Sequence, residues 1–277
     1  MNKKLLALYG LKFNPFSPQV PATALWAPAR IESFCWRIEQ QTGEGGFAMV
    51  LGDPGSGKSA ALRILSERLN QLHDLCLGVI SRPQAQVADF YRELGHLFSV
   101  PLSPHNRWNS AKVLREKWLT YIEGSLYRPV LLVDEAQEMN SAVFCELRLL
   151  SSVELDSRSI LTIVLCGDQR LSHRLQGSDL TPIASRIRSR LRLEALSPRE
   201  LEECLTHLCT SAGNAKLLTT ELTRTLCEHA AGNLRLLMNM ANDLLHAASR
   251  EEREQIDEQL YFEVFALDAK PSRKRAS

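Results

Sequence analysis

Residues 52–59 read Gly52-Asp53-Pro54-Gly55-Ser56-Gly57-Lys58-Ser59, the pattern of a phosphate-binding loop. Its glycines let the backbone curl so that successive N–H groups face the phosphates, and the positive end of the following helix faces the same anion. Lys58 supplies a mobile cation for the β- and γ-phosphates, and the Ser59 hydroxyl is placed to complete a Mg²⁺ shell. A second group follows where the apolar run Pro129–Val133 ends in Asp134-Glu135-Ala136-Gln137. A carboxylate at the carboxyl end of a buried strand beside a phosphate loop suits an outer ligand of Mg²⁺, which assigns Asp134 to that role. One position further out, Glu135 can orient and polarise an attacking water.

This chemistry needs a strand entering the loop and a helix leaving it. Residues 47–51 are an apolar run suited to a buried parallel strand, and 60–69 carry apolar residues at helical spacing. Further strands are expected at 75–80, 129–133 and 160–166, with a fifth near 191–193. Amphipathic segments at 85–98 and 109–123 flank a proline-rich polar loop at 101–109, and another helix is expected near 141–151. Strands alternating with helices predict an α/β fold, a parallel sheet covered on both faces.

The pattern changes at Ser197-Pro198-Arg199-Glu200, a capping box with proline at the first helical position. Helical patterns at 219–231 and 234–248 are divided by Gly232-Asn233. The chain therefore divides by sequence into a nucleotide-binding domain with an amino-terminal extension over 1–196, a smaller all-helical domain over 197–268, and a basic tail over 269–277 containing Arg273-Lys274-Arg275.

With 277 residues and 44% hydrophobic content, there is enough chain for a packed core, and a net charge of +1 confines any nucleic-acid contact to local patches. Seven cysteines, without a C-x-x-C pair, argue against a disulfide framework or zinc site and for a reducing cytoplasm. The apolar stretch after Met1 is too short for a signal peptide, and no stretch is long enough to span a bilayer. The expectation is a cytoplasmic protein with no membrane partner.

A phosphate loop, a strand ending Asp-Glu, a later strand and a helical lid resemble an AAA+ ATPase, over most of the chain. Within that class, Tyr9-Gly10-Leu11-Lys12-Phe13-Asn14-Pro15-Phe16, Asp134-Glu135-Ala136-Gln137 and Leu165-Cys166-Gly167-Asp168-Gln169-Arg170-Leu171 resemble the ExeA-like ATPases. That group shades into the transposition ATPases of the TnsC, TniB and MuB type. The resemblance implies ATP and Mg²⁺ as ligands and ATP hydrolysis as the activity. It also implies a polar sensor at Gly167-Asp168-Gln169, with Asp168 the candidate, and an arginine finger within 185–190, Arg186 or alternatively Arg190. Arg235, at the start of a lid helix, is the implied second sensor.

Two functions are open at this point. One is a DNA-binding regulator of transposition that forms a homo-oligomer, ring or helical filament, on double-stranded DNA and recruits or activates a transposase or target-site protein. The other is an ATPase acting on protein assembly or secretion. Lacking the membrane and cell-wall segments of ExeA, the chain is expected to follow the first. Arg107, Lys112 and Arg115, with Trp108, lie on or after the 101–109 loop, where cations and an aromatic could track a phosphate backbone.

Overall fold

The computed structural model describes residues 3–266 apart from 82, 84, 85, 104, 126, 155 and 156; the basic tail expected at 269–277 lies outside the described residues. Helices α1 (Lys3–Tyr9) and α2 (Ala29–Gln41) precede β1 (Gly46–Gly52) and α3 (Lys58–Asn70). Then come β2 (Leu75–Ile80), α4 (Val87–Leu97), α5 (Arg107–Ser125), β3 (Arg128–Val133) and α6 (Ser141–Ser151). A short antiparallel pair, β4 (Ser152–Val153) and β5 (Arg158–Ser159), leads to β6 (Thr162–Gly167), α7 (Gln169–Leu175), α8 (Thr181–Ala184) and β7 (Ile187–Leu193). The chain continues through α9 (Pro198–Ala212), α10 (Thr220–Ala230), α11 (Leu234–Glu251) and α12 (Glu258–Ala266).

Five strands form one parallel sheet in the order β2-β3-β6-β1-β7. β1, β3 and β6 are interior strands buried on both faces, which is why each reads as an unbroken apolar run. Phe47, Met49, Leu131, Val133, Ile163 and Leu165 point into one core with Tyr91, Leu94, Trp118, Phe144 and Leu147. On the other helices, α2 packs against β7 and α3 against β1 and β6. The strand order is what builds the site. β6 lies between β1 and β3, so the carboxyl ends of these three strands bring the phosphate loop, Gly167-Asp168 and Asp134-Glu135 together.

β7 is longer than the strand expected near 191–193. Its buried Ile187, Ser189, Leu191 and Leu193 alternate with exposed Arg188, Arg190 and Arg192, the pattern of an edge strand rather than of a continuous apolar run. Helix α5 begins at Arg107, inside the expected 101–109 loop, because the Asn106 side chain accepts from the Asn109 N–H at 3.1 Å and caps it.

The chain splits into two compact units, one formed by 27–194 and the other by residues through Trp26 together with those from Ala195 onward. The amino-terminal segment, grouped by sequence with the nucleotide-binding domain, thus shares the helical core instead. Leu5, Tyr9, Leu11 and Phe16 pack with Leu201, Leu205, Leu245 and Ile256, and the Lys12 N–H donates to the Ala212 carbonyl at 2.8 Å. Leu5 and Tyr9 sit four apart on one face of α1, the spacing that buries both. In the same unit the capping box forms as expected: the Glu200 carboxylate accepts from the Ser197 N–H at 2.9 Å, and the Ser197 hydroxyl accepts from the Glu200 N–H at 3.3 Å.

Candidate active site

β1 ends at Gly52 and the chain turns through 53–57 into α3. Gly57 closes the turn at φ +93°, a left-handed conformation that a side chain rarely adopts. Lys58, the first residue of α3, is only 8% exposed. Its ammonium donates to the Gly52 carbonyl at 2.9 Å and the Asp53 carbonyl at 3.2 Å, which tethers the cation across the mouth of the loop. Asp53 and Pro54 are exposed, and Gly55 is half-buried. The Ser56 Oγ is buried without a partner, which a phosphate oxygen would satisfy.

The Ser59 hydroxyl donates to Asp134 Oδ2 at 3.3 Å, so the two expected Mg²⁺ groups meet although they come from different strand ends. The other Asp134 oxygen accepts from the Glu135 N–H at 2.9 Å. A hydroxyl and a carboxylate are hard oxygen donors of the kind Mg²⁺ takes, alongside phosphate oxygens and water. With the orphaned Ser56 hydroxyl, they fit a Mg²⁺-nucleotide. Cys166, at the end of β6, is fully buried beside them; burial pushes its thiol pKa up, the Asp134 carboxylate adds to this, and Lys58 opposes it.

Glu135 is exposed and holds φ +49°. Gln137, whose role its place in the Asp134-Glu135-Ala136-Gln137 motif does not reveal, is buried between Glu135 and the turn after β6. Asp168 in that turn caps α7 by accepting from the Arg170 N–H at 2.8 Å and pairs with the Arg170 guanidinium at 2.9 Å. Burial acts to raise its pKa, but the Arg170 hydrogen bonds outweigh that and hold it below the usual carboxylate value. Lys58 lowers it further, which sets Asp168 within electrostatic reach of the phosphate loop.

Residues 40–175 match the family model described as AAA domain. These residues form an AAA domain. Over 202 residues the chain is 27% identical to general secretion pathway protein A of Aeromonas hydrophila, a match covering 72% of this chain and 36% of that protein. The chain thus spans little more than a third of that relative's length. Its fold is similar to Drosophila ORC bound to DNA, at 19% identity and TM-score 0.71 over 98% of this chain and 67% of that one. It is similar also to Aeropyrum pernix ORC2 in its ADPNP–ADP complexes, at 13% identity and TM-score 0.70 over 94% and 72%. At these identities the likeness to solved structures is one of fold.

The remaining candidates for the nucleotide site lie outside the matched residues 40–175. Arg186 stands between α8 and β7 and donates to the Pro182 carbonyl. Arg190 is on the exposed side of β7 and reaches the Ala184 carbonyl at 3.3 Å. Arg235 is exposed in the first turn of α11, in the helical unit.

The three candidates for nucleic acid differ from one another. Arg107 forms an ion pair with Glu146, a carboxylate only 2% exposed, which also accepts from the Tyr91 hydroxyl at 2.6 Å. Its guanidinium therefore compensates a buried charge within the α4–α5–α6 cluster, a structural role in place of the phosphate contact expected from its position in the sequence. Arg115 reaches the Leu149 carbonyl at 3.5 Å. Lys112 pairs loosely with Glu116 at 3.8 Å and lies over the Trp108 ring at 5.4 Å, and Trp108 is 73% exposed.

Proposed function

We propose that this protein is a Mg²⁺-dependent ATPase that couples ATP hydrolysis to assembly and release of a homo-oligomer. The observation that carries this is the hydrogen bond between Ser59 and Asp134 beside the buried Lys58 ammonium, with Glu135 one residue beyond. Ser59 and Asp134 would hold Mg²⁺, which would supply positive charge to offset that of the phosphates. Lys58 binds the same phosphates when it exchanges its two loop carbonyls for phosphate oxygens. Ser56 offers its hydroxyl, and Glu135 orients the attacking water. Asp168 reads the γ-phosphate from the turn after β6. Arg186, or Arg190, completes the site of a neighbouring subunit, and Arg235 answers the nucleotide state from the helical unit.

The test is a pair of variants. Lys58→Ala should abolish turnover and weaken ATP binding severely, since Lys58 is the cation that the phosphate loop itself carries. Glu135→Gln should bind ATP normally yet turn over at least about 10²-fold more slowly, as expected for a group acting in the transition state. ATP affinity of folded Lys58→Ala equal to wild type would remove the foundation of the proposal.

For the partner, we favour double-stranded DNA, on which the subunits form a ring or helical filament and recruit or activate a transposase or target-site protein in the cytoplasm. The exposed Trp108–Lys112 pair at the start of α5 supports this, because an aromatic and a cation side by side suit a phosphate backbone. The fold it shares with Drosophila ORC bound to DNA is compatible with it. A second reading, an ATPase acting on protein assembly or secretion, is supported by the similarity to general secretion pathway protein A. No helix among the described residues is long and apolar enough to cross a membrane. Measuring DNA binding with ATP at several salt concentrations separates the two. Steeply salt-dependent, ATP-strengthened binding supports the first, and no binding in any nucleotide state favours the second.

A further inference from the structure

We infer that Gln137 is a positioning residue for hydrolysis, one that fixes the Glu135 carboxylate and couples it to the turn carrying Asp168. The inference rests on the proposed water-orienting role of Glu135. Gln137 sits in the single helical turn Ala136–Glu138 that follows β3, and it is only 5% exposed. A buried amide needs partners at both ends. Its Nε2 donates to Glu135 Oε2, and its Oε1 accepts from the Asp168 N–H at 3.3 Å. The orientation of the amide follows from its partners, since a carboxylate only accepts and a backbone N–H only donates.

The surroundings leave this amide little freedom. Arg174 donates to the Gln137 carbonyl at 2.6 Å and also to the Met139 carbonyl, anchoring the turn from α7. On the opposite side, a Cβ at Gly167 would stand 2.5 Å from Gln137 Oε1, so only glycine lets the amide approach the end of β6 this closely. Glu135 is exposed and has a mobile side chain by nature; one oxygen held by a buried amide leaves the other to meet water in a restricted set of directions. Any shift of the Gly167-Asp168 turn reaches Glu135 through one rigid amide. Hydrolysis thereby becomes sensitive to what happens at the γ-phosphate side of the loop.

The experiment compares Gln137→Leu, Gly167→Ala and Glu135→Gln, together with the Gln137→Leu/Glu135→Gln double variant, in ATP titrations and single-turnover hydrolysis. Gln137→Leu keeps the volume and removes both hydrogen bonds; Gly167→Ala keeps the amide and displaces it. Each is expected to lower kcat at least tenfold while ATP affinity and KM stay within about twofold of wild type. In the Glu135→Gln background, Gln137→Leu is expected to cost nothing further, because both changes act through the same carboxylate. Losses that multiply in the double variant, or a Gln137→Leu enzyme with wild-type kcat, overturn the inference. If Gln137→Leu does not fold, Gly167→Ala decides, and unchanged kcat there overturns it as well. Wild-type turnover of Glu135→Gln alone would instead sink the role of Glu135, which keeps the two failures distinct.

Discussion

The Ser59 hydroxyl donates to Asp134 Oδ2 at 3.3 Å, joining residues 75 positions apart. One comes from the helix after β1 and the other from the end of β3, and the intervening β6 fixes their separation. If this contact prepares a metal site, Ser59→Ala and Asp134→Asn should each weaken ATP binding at least tenfold with Mg²⁺ present and much less with the metal chelated. Titrating a fluorescent ATP analogue in both conditions measures this. Equal losses with and without Mg²⁺ would assign the pair to loop structure instead.

Arg107 and Lys112 should separate by readout. Arg107→Ala removes the cation that pairs with the buried Glu146 and leaves it the hydrogen bond from the Tyr91 hydroxyl, and should cost about 2 kcal/mol of stability. Lys112→Ala touches only an exposed pair and a ring face, so chemical denaturation should shift by less than about 0.5 kcal/mol. If DNA is the partner, Lys112→Ala should weaken binding and lower the slope of log affinity against log salt by about one. Identical denaturation midpoints for the two variants would contradict the assignment of Arg107.

The phosphate loop and Asp134-Glu135 were legible because each is a short local pattern attached to an interior strand, where burial on both faces leaves an apolar run. β7 was legible only at its end. Its arginines interrupt the apolar residues at every second position, and what makes that tolerable, a place at the sheet edge, is a property of the strand order. The pairing of residues 3–26 with the helical unit was hidden for a related reason: Leu5 and Tyr9 announce a buried face but not what covers it. Gln137 shows the limit most clearly. Its partners are Glu135, two positions away, and Asp168, 31 positions away, so neither spacing nor residue type marks it as more than the fourth letter of a motif.

Asp168 makes a stability prediction with a defined sign. Its pKa is lower in the folded chain than in the unfolded one, so its contribution is complete above about pH 4 and is lost as pH falls through the folded value. Asp168→Ala removes the α7 cap and should cost about 1 kcal/mol at neutral pH. The gap between variant and wild type should close on acidification below about pH 4. Denaturant melts at several pH values test this, and a gap that widens in acid would contradict the assigned direction.

Assembly can be tested through Arg186. An arginine reaching a neighbour's γ-phosphate is worth about 10³ to 10⁵ in rate, so Arg186→Ala should lose turnover while keeping ATP affinity. Mixing it with Lys58→Ala unites an intact loop from one subunit with an intact arginine from another, and partial recovery is expected. Turnover strictly proportional to protein concentration, with no recovery at any mixing ratio, would exclude a finger acting between subunits.

β1 is the first strand of the sheet to be synthesised, yet its two neighbours, β6 and β7, are the last. Roughly a hundred residues must leave the ribosome after Gly52 before β1 can pair at all, a separation that slows folding of parallel sheets. At ordinary translation rates the apolar stretch Phe47–Leu51 waits on the order of ten seconds for partners, covered meanwhile by neighbouring helices or by a chaperone. The nascent chain carries the whole phosphate-loop sequence through that interval without the sheet that gives the loop its shape, so nucleotide should begin to stabilise it only once Leu193 has emerged.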